Sequence, residues 1–243
     1  MDVPTTVTTA LEDRPVEGAV CLEAGAGVGN TTAGLLADGA SRVYAVTNDR
    51  DDAVAVRKRV DDAIADTEPD RTAVLEADVR SLPLAPNSVD IITAHGLFNL
   101  LEPPTLDSVA TELTRVAAPG CHLVVDDYDP LPEGAAVREL FALENAASEL
   151  VDGRPALTFY PGGALRRLFD GYGWTFDRTR TLLDPVPWTE SHIEAHASVT
   201  RSLLADLPGE LGEPLRSAVD DCADRLDPES VGEMYSLALR FEP

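Results

Sequence analysis

Lysine is nearly missing from this chain. Of its 19 basic residues only Lys58 is a lysine, and the others are arginines. They stand against 43 acidic residues, which leaves a formal net charge of −24 over 243 residues. The acids are spread along the whole sequence, so the charge is not that of one acidic tail. A broad nucleic-acid surface needs a basic patch, and this composition argues against one. The 44% hydrophobic content separates the chain from disordered acidic sequences, which lack apolar periodicity.

Also absent is any apolar run long enough for a membrane span, and no N-terminal signal pattern is visible. Cysteines occur only at 21, 121 and 222. Their odd number and wide separation fit neither a disulfide framework nor a zinc site. A reducing cytoplasm is the expected location, and no bound metal is expected. His192 and His196 are four apart on one helix face. Without a third ligand they read as solvated side chains, and their order is not that of a zinc-protease motif.

What the chain does have is a glycine turn. Residues 19–29 run from an apolar stretch through Glu23 to Gly25, Gly27 and Gly29, and Asn30-Thr31-Thr32 opens a helix-like segment. The pattern reads as a buried strand bending sharply into a helix beneath a ligand. Gly25 and Gly27 let the backbone turn and let a ligand approach without Cβ contact. Asn30 or Thr31 is the expected cap of the new helix. A dinucleotide fingerprint needs glycine at position 30, so Asn30 disfavours a nicotinamide-dependent dehydrogenase.

Strand-like and helix-like runs alternate around this turn. Strands are expected at 19–23, 42–47, 72–76, 89–94 and 121–126, with helices at 4–13, 30–38, 50–65 and 104–117. This order argues a doubly wound, mostly parallel α/β sheet. Further on, helices are expected at 132–152 and 164–170, and strands at 174–183 and 233–241. Residues 188–226 read as helical, interrupted by Pro208 and Pro214. The expected whole is one domain, 1–243, with a core at 15–128. Helical insertions at 130–160 and 188–226, after strands five and six, would cover the carboxyl ends of the strands.

Three ordered segments carry a resemblance. Glu23-Ala-Gly-Ala-Gly-Val-Gly29 resembles the first motif of class I S-adenosylmethionine-dependent methyltransferases. Residues 75–90, with Asp78, Leu82-Pro83 and Ser88-Val89-Asp90, resemble that family's approach to its fourth strand. Residues 112–120, ending in Pro119-Gly120 before Leu123-Val-Val, resemble its helix, turn and fifth strand. The likeness covers about residues 15–128 and is nearest the small-molecule group that includes quinone-biosynthesis enzymes. It implies a Rossmann-like seven-stranded fold and S-adenosyl-L-methionine as cofactor. Abundant Asp and scarce Lys resemble, separately, proteins of salt-loving archaea, in which high ionic strength screens self-repulsion.

The resemblance also implies roles. Gly25, Ala26, Gly27 and Gly29 would lie against the methionine and ribose part of the cofactor. Glu23 would help hold the methionine amino group. Asp78 would accept from the adenine amino group while the Val79 N–H donates to the ring. The second strand departs from the family pattern, because Thr47 stands where an acid usually binds the ribose. Asn48 or Asp49 would serve instead, or Asp49 would simply cap the following helix. No Asn/Asp-Pro-Pro-Tyr/Phe signature follows the fourth strand, which argues against methylation of nucleobases or glutamine.

His95 falls near the expected meeting point of cofactor and acceptor, either as a general base or as a packing residue. Asp126, Asp127 and Tyr128 face the same end, as groups that hold a substrate or a metal or as solvated loop residues. Tyr160, Trp174 and Trp188 are pocket-lining or core aromatics. The function expected is direct in-line methyl transfer to a small-molecule acceptor. The alternative is a non-catalytic cofactor-binding regulator or assembly factor of the same fold.

Overall fold

The computed structural model describes residues 3–63, 71–205 and 207–243. The last two positions of the helix expected at 50–65 therefore lie outside the described residues. A central sheet has the strand order β3-β2-β1-β4-β5-β9-β6. Its strands are β1 (Val20–Ala24), β2 (Arg42–Thr47), β3 (Thr72–Glu76), β4 (Val89–His95), β5 (Ala117–Tyr128), β6 (Trp174–Leu183) and β9 (Met234–Phe241). The first five pair in parallel, and β9 runs antiparallel between β5 and β6. A two-residue pair, β7 (Pro187–Trp188) with β8 (Glu229–Ser230), stands apart.

The central strands are apolar almost without interruption because both of their faces are buried. Cys21 and Ile91 join one core, packed by α1 (Thr5–Leu11), α2 (Asn30–Ala37) and α3 (Arg50–Ala63). Their sequence neighbours Leu22 and Ile92 join the other, packed by α4 (Leu106–Val116) and α6 (Gly162–Asp170). The alternation follows from the two-residue period of a strand. Truncating a buried leucine or isoleucine to alanine at such a position costs about 2–5 kcal/mol.

Two expectations need correction here. Residues Ala117–Gly120 read as a turn, yet β5 begins at Ala117. The pairing instead slips, from Val89 opposite Ala117 to Ile91 opposite His122, and so absorbs Pro119 and Gly120. Pro214 does not interrupt α8 (Gly209–Arg225). The carbonyl its missing N–H would have served belongs to Glu210, an exposed residue of the first turn, so the lost bond leaves no buried acceptor.

The remaining helices, α5 (Val137–Asp152), α7 (Glu190–Ala205) and α8, pack on one another through Leu140, Ala147, Ile193, Ala197, Leu204 and Val219. A second apolar cluster, with Phe141, Leu157, Trp188 and Met234, joins this cap to the sheet. Met234 pairs with Tyr128, the last residue of β5, so the cap stands at the carboxyl ends of the strands.

Candidate functional site

The strand order reverses between β1 and β4, and in open α/β sheets such a reversal opens a crevice at the carboxyl ends. Gly25 follows β1 there. Its φ of +77° is left-handed, and a Cβ would approach Leu97 to 3.0 Å. The N–H groups of Gly25 and Ala26 donate to the Val46 carbonyl at 3.0 and 2.8 Å, tying the turn to β2. At Gly27, φ is +47° and a Cβ would meet nothing within 4 Å, so the turn faces open space. Gly29, not Asn30 or Thr31, caps α2, in a left-handed conformation and with no capping side chain. The threonines are engaged elsewhere, for the Thr32 hydroxyl donates to the Glu23 carboxylate.

Beside the turn lies a cavity of about 370 Å³, lined among others by Gly25, Thr47, Asn48, Asp78, Val79 and Leu97. Asn48 is on its wall and Asp49 is not. Asp49 caps α3, accepting from the N–H groups of Asp51 and Asp52 at 2.8 and 2.9 Å. Asp78 is gripped by Arg80 through contacts of 2.5–2.9 Å, and this pairing holds its pKa below the usual carboxylate range. Glu112 on α4 pins the same loop, accepting from the Leu82 N–H, while Arg115 donates to the Leu82 and Leu84 carbonyls. Arg80, Glu102 and Arg154 also line this cavity. No motif marks them, and Arg154 arrives from the far end of α5.

Glu23 lines neither this cavity nor the next. It lies under the turn, 2% exposed, and burial pushes its carboxyl up to about 7.

A second cavity, of about 410 Å³, opens between the sheet and the cap. His95 lines it, with Nδ1 3.2 Å from the Asp126 carboxylate. Burial alone would lower the imidazole pKa. The Asp126 hydrogen bond and the charges of Asp126, Glu23 and Asp127 outweigh burial and raise it. Asp126 and Asp127 are not solvated loop residues; they end β5 at 2% and 1% exposure. Burial lifts the Asp127 carboxyl to about 6, even though it accepts from the Asn99 and Tyr128 N–H groups.

The other walls come from Tyr128 at the end of β5 and from the cap and its linkers: Phe141, Phe159 and Trp188, with His192 and His196. Both histidines, which read as solvated in the sequence, thus border a cavity. Trp188 is at once core and wall, and its indole N–H donates to the Val231 carbonyl. Trp174 is core only, and the Tyr160 hydroxyl donates to the Leu101 carbonyl without lining either space. Leu100 borders both cavities. Among the described residues no cluster of potential metal ligands occurs.

Residues 22–125 match the family described as "Methyltransferase domain". The stretch spans β1 to β5 and holds nearly all of the first cavity. Over this stretch the chain is similar to that family of methyltransferase domains. A curated relative, demethylmenaquinone methyltransferase from Clavibacter sepedonicus, is 34% identical over 128 residues, 52% of this chain. The match spans about half of that relative's length, 48%.

Solved structures share the fold across nearly the whole chain. An S-adenosylmethionine-dependent methyltransferase from Aquifex aeolicus superposes with a TM-score of 0.57 at 16% identity, over 97% of this chain and 89% of that one. A mycolic acid cyclopropane synthase solved with S-adenosylhomocysteine gives 0.62 at 17% identity, over 96% and 82%.

S-adenosylmethionine is the cofactor of such a methyltransferase domain, and the first cavity fits it. The glycine turn leaves room that a side chain would fill, Asp78 offers an acceptor at the rim, and Leu97, Leu101 and Val79 offer apolar faces for a flat base.

Proposed function

We propose that this protein transfers a methyl group from S-adenosylmethionine to a small aromatic acceptor. The observation that carries the reading is the pair of neighbouring cavities with Leu100 as common wall: a nucleoside-sized one at the glycine turn and an aromatic-lined one around His95. The bound cofactor supplies the electrophilic methyl group.

In this reading Gly25, Ala26, Gly27 and Gly29 form the floor under the cofactor. Glu23 supports it from beneath, and Asp78 and the Val79 N–H recognise the base. Asn48 takes the ribose, and Asp49 serves as the cap of α3. The cap helices and their linkers close the acceptor chamber, exclude water and choose the substrate. Holding the two reactants in line supplies most of the rate enhancement. His95 takes the proton that the acceptor loses. Its Nδ1 faces Asp126, which leaves Nε2 as the acceptor atom.

No described helix is long and apolar enough to cross a membrane, which suits a small-molecule enzyme of the cytoplasm. Incubation with methyl-labelled cofactor and a set of phenols, followed by detection of S-adenosylhomocysteine and the labelled product, tests the proposal. Cofactor binding with no methylated product across the set would favour a non-catalytic binder instead.

A further inference from the structure

The acceptor cavity contains a second histidine–carboxylate pair that the sequence did not reveal. His196, on α7, places Nδ1 2.7 Å from the Glu144 carboxylate on α5. Glu144 is 4% exposed, on a helix whose other buried residues, Ser148 excepted, are apolar. A carboxylate is costly to bury there unless it is held by a partner. The pair also fixes the imidazole, which stands edge-on to the Phe141 ring at 4.7 Å between centroids.

The arrangement repeats that of His95 and Asp126. In each, a carboxylate faces Nδ1, so that when the imidazole is neutral its proton sits there and Nε2 is left with a lone pair. One histidine belongs to the sheet and the other to the cap, and both line the same aromatic-walled space. The Trp188 indole N–H is already spent on the Val231 carbonyl. The Asn99 side-chain oxygen, buried at the same cavity, has no hydrogen-bond partner. A buried acceptor without a partner calls for a donor on whatever fills the space.

We propose that His196, oriented by Glu144, is a specificity-determining residue that takes a second polar hydrogen of the acceptor. The acceptor is then a flat aromatic molecule with two hydroxyl or amino groups on separate edges. One is presented to His95, and the other is gripped by His196. The proposal rests on the aromatic-acceptor reading above.

Calorimetry in saturating S-adenosylhomocysteine tests it, with two probes: naphthol, and a naphthalenediol whose hydroxyls lie on opposite rings. The wild-type protein binds the diol about threefold to tenfold more tightly, the worth of one added hydrogen bond. His196→Phe abolishes that preference and keeps naphthol binding. His196→Asn, which can still bond to Glu144 but is too short to reach the ligand, does the same and controls for folding. Equal affinity for the two probes in wild type, or a preference that survives both variants, overturns the proposal and leaves the aromatic-acceptor reading standing. Failure of both probes to bind, with S-adenosylhomocysteine bound normally, overturns that reading and the proposal with it.

Discussion

His95 and Asp126 stand opposite each other in register on the parallel strands β4 and β5, with Nδ1 and the carboxylate oxygen 3.2 Å apart. Strand pairing therefore sets this contact, and a rigid scaffold holds the group assigned as base.

A base that must be neutral, with its pKa raised by carboxylates, gives a rate that climbs with pH. The predicted kcat/KM rises through neutrality and levels off above the ordinary histidine range. His95→Asn lowers kcat by about 10²–10⁴-fold. Asp126→Asn shifts the rise to lower pH, because it removes the nearest charge that favours imidazolium. A flat profile in wild type, or full activity in His95→Asn, would show that His95 only packs beside the reactants.

The glycine turn predicts a defined loss of cofactor affinity. A Cβ at Gly27 would meet no protein atom within 4 Å and its φ is +47°, so valine there projects into the open space beside the turn and strains the backbone by about 1–3 kcal/mol. Titration of Gly27→Val with S-adenosylhomocysteine is expected to show affinity at least about tenfold weaker. Unchanged affinity would remove the turn from the cofactor site.

Buried acids make the ligand-free fold sensitive to pH in an unusual direction. Glu23 and Asp127 titrate at about 7 and about 6 in the folded chain, against ordinary values of 4.5 and 3.8. Between those limits the native state binds more protons than the unfolded state, so stability falls as pH rises. The raised His95 acts in the same sense, since its pairing is lost as pH climbs through its folded value. The melting temperature is predicted to drop between about pH 5 and pH 8. Glu23→Gln should remove about 2–3 kcal/mol of that dependence. A melting temperature rising over this range in wild type would contradict the assignment.

Salt should act strongly. At −24 the chain repels itself in dilute buffer, and molar potassium chloride shortens the screening length to about 3 Å. Melting temperature is predicted to rise from dilute to molar salt. An unchanged value would remove the inference of a salt-adapted protein.

The core was legible because its signals are local. Apolar runs of strand length and the glycine turn each act through neighbouring residues, and the sheet follows them closely, although Pro119 and Gly120 fall inside β5 and not before it. Two misreadings were local as well. Gly29 closes the α2 turn by its own left-handed geometry, so Asn30 had nothing to cap. Pro214 sits where the carbonyl left without its bond belongs to an exposed residue.

The acceptor chamber was hidden for a different reason. Glu144 and His196 lie 52 residues apart on helices that meet only in the folded chain. Helical spacing tells which face of α7 is covered, but not that the cover includes a buried carboxylate and a cavity. Asp126 and Asp127 were obscured similarly, since a strand end and a solvated loop look alike in sequence.

The central claim is that donor and acceptor occupy two neighbouring cavities, one at Gly25, Asn48 and Asp78 and the other at His95, Phe141 and Trp188. The most direct measurement is a calorimetric titration of naphthol, with and without saturating S-adenosylhomocysteine. Both ligands are predicted to bind together, one of each per chain, with naphthol affinity retained or improved in the presence of the nucleoside. Displacement of one by the other, or no binding of S-adenosylhomocysteine at all, would contradict the account.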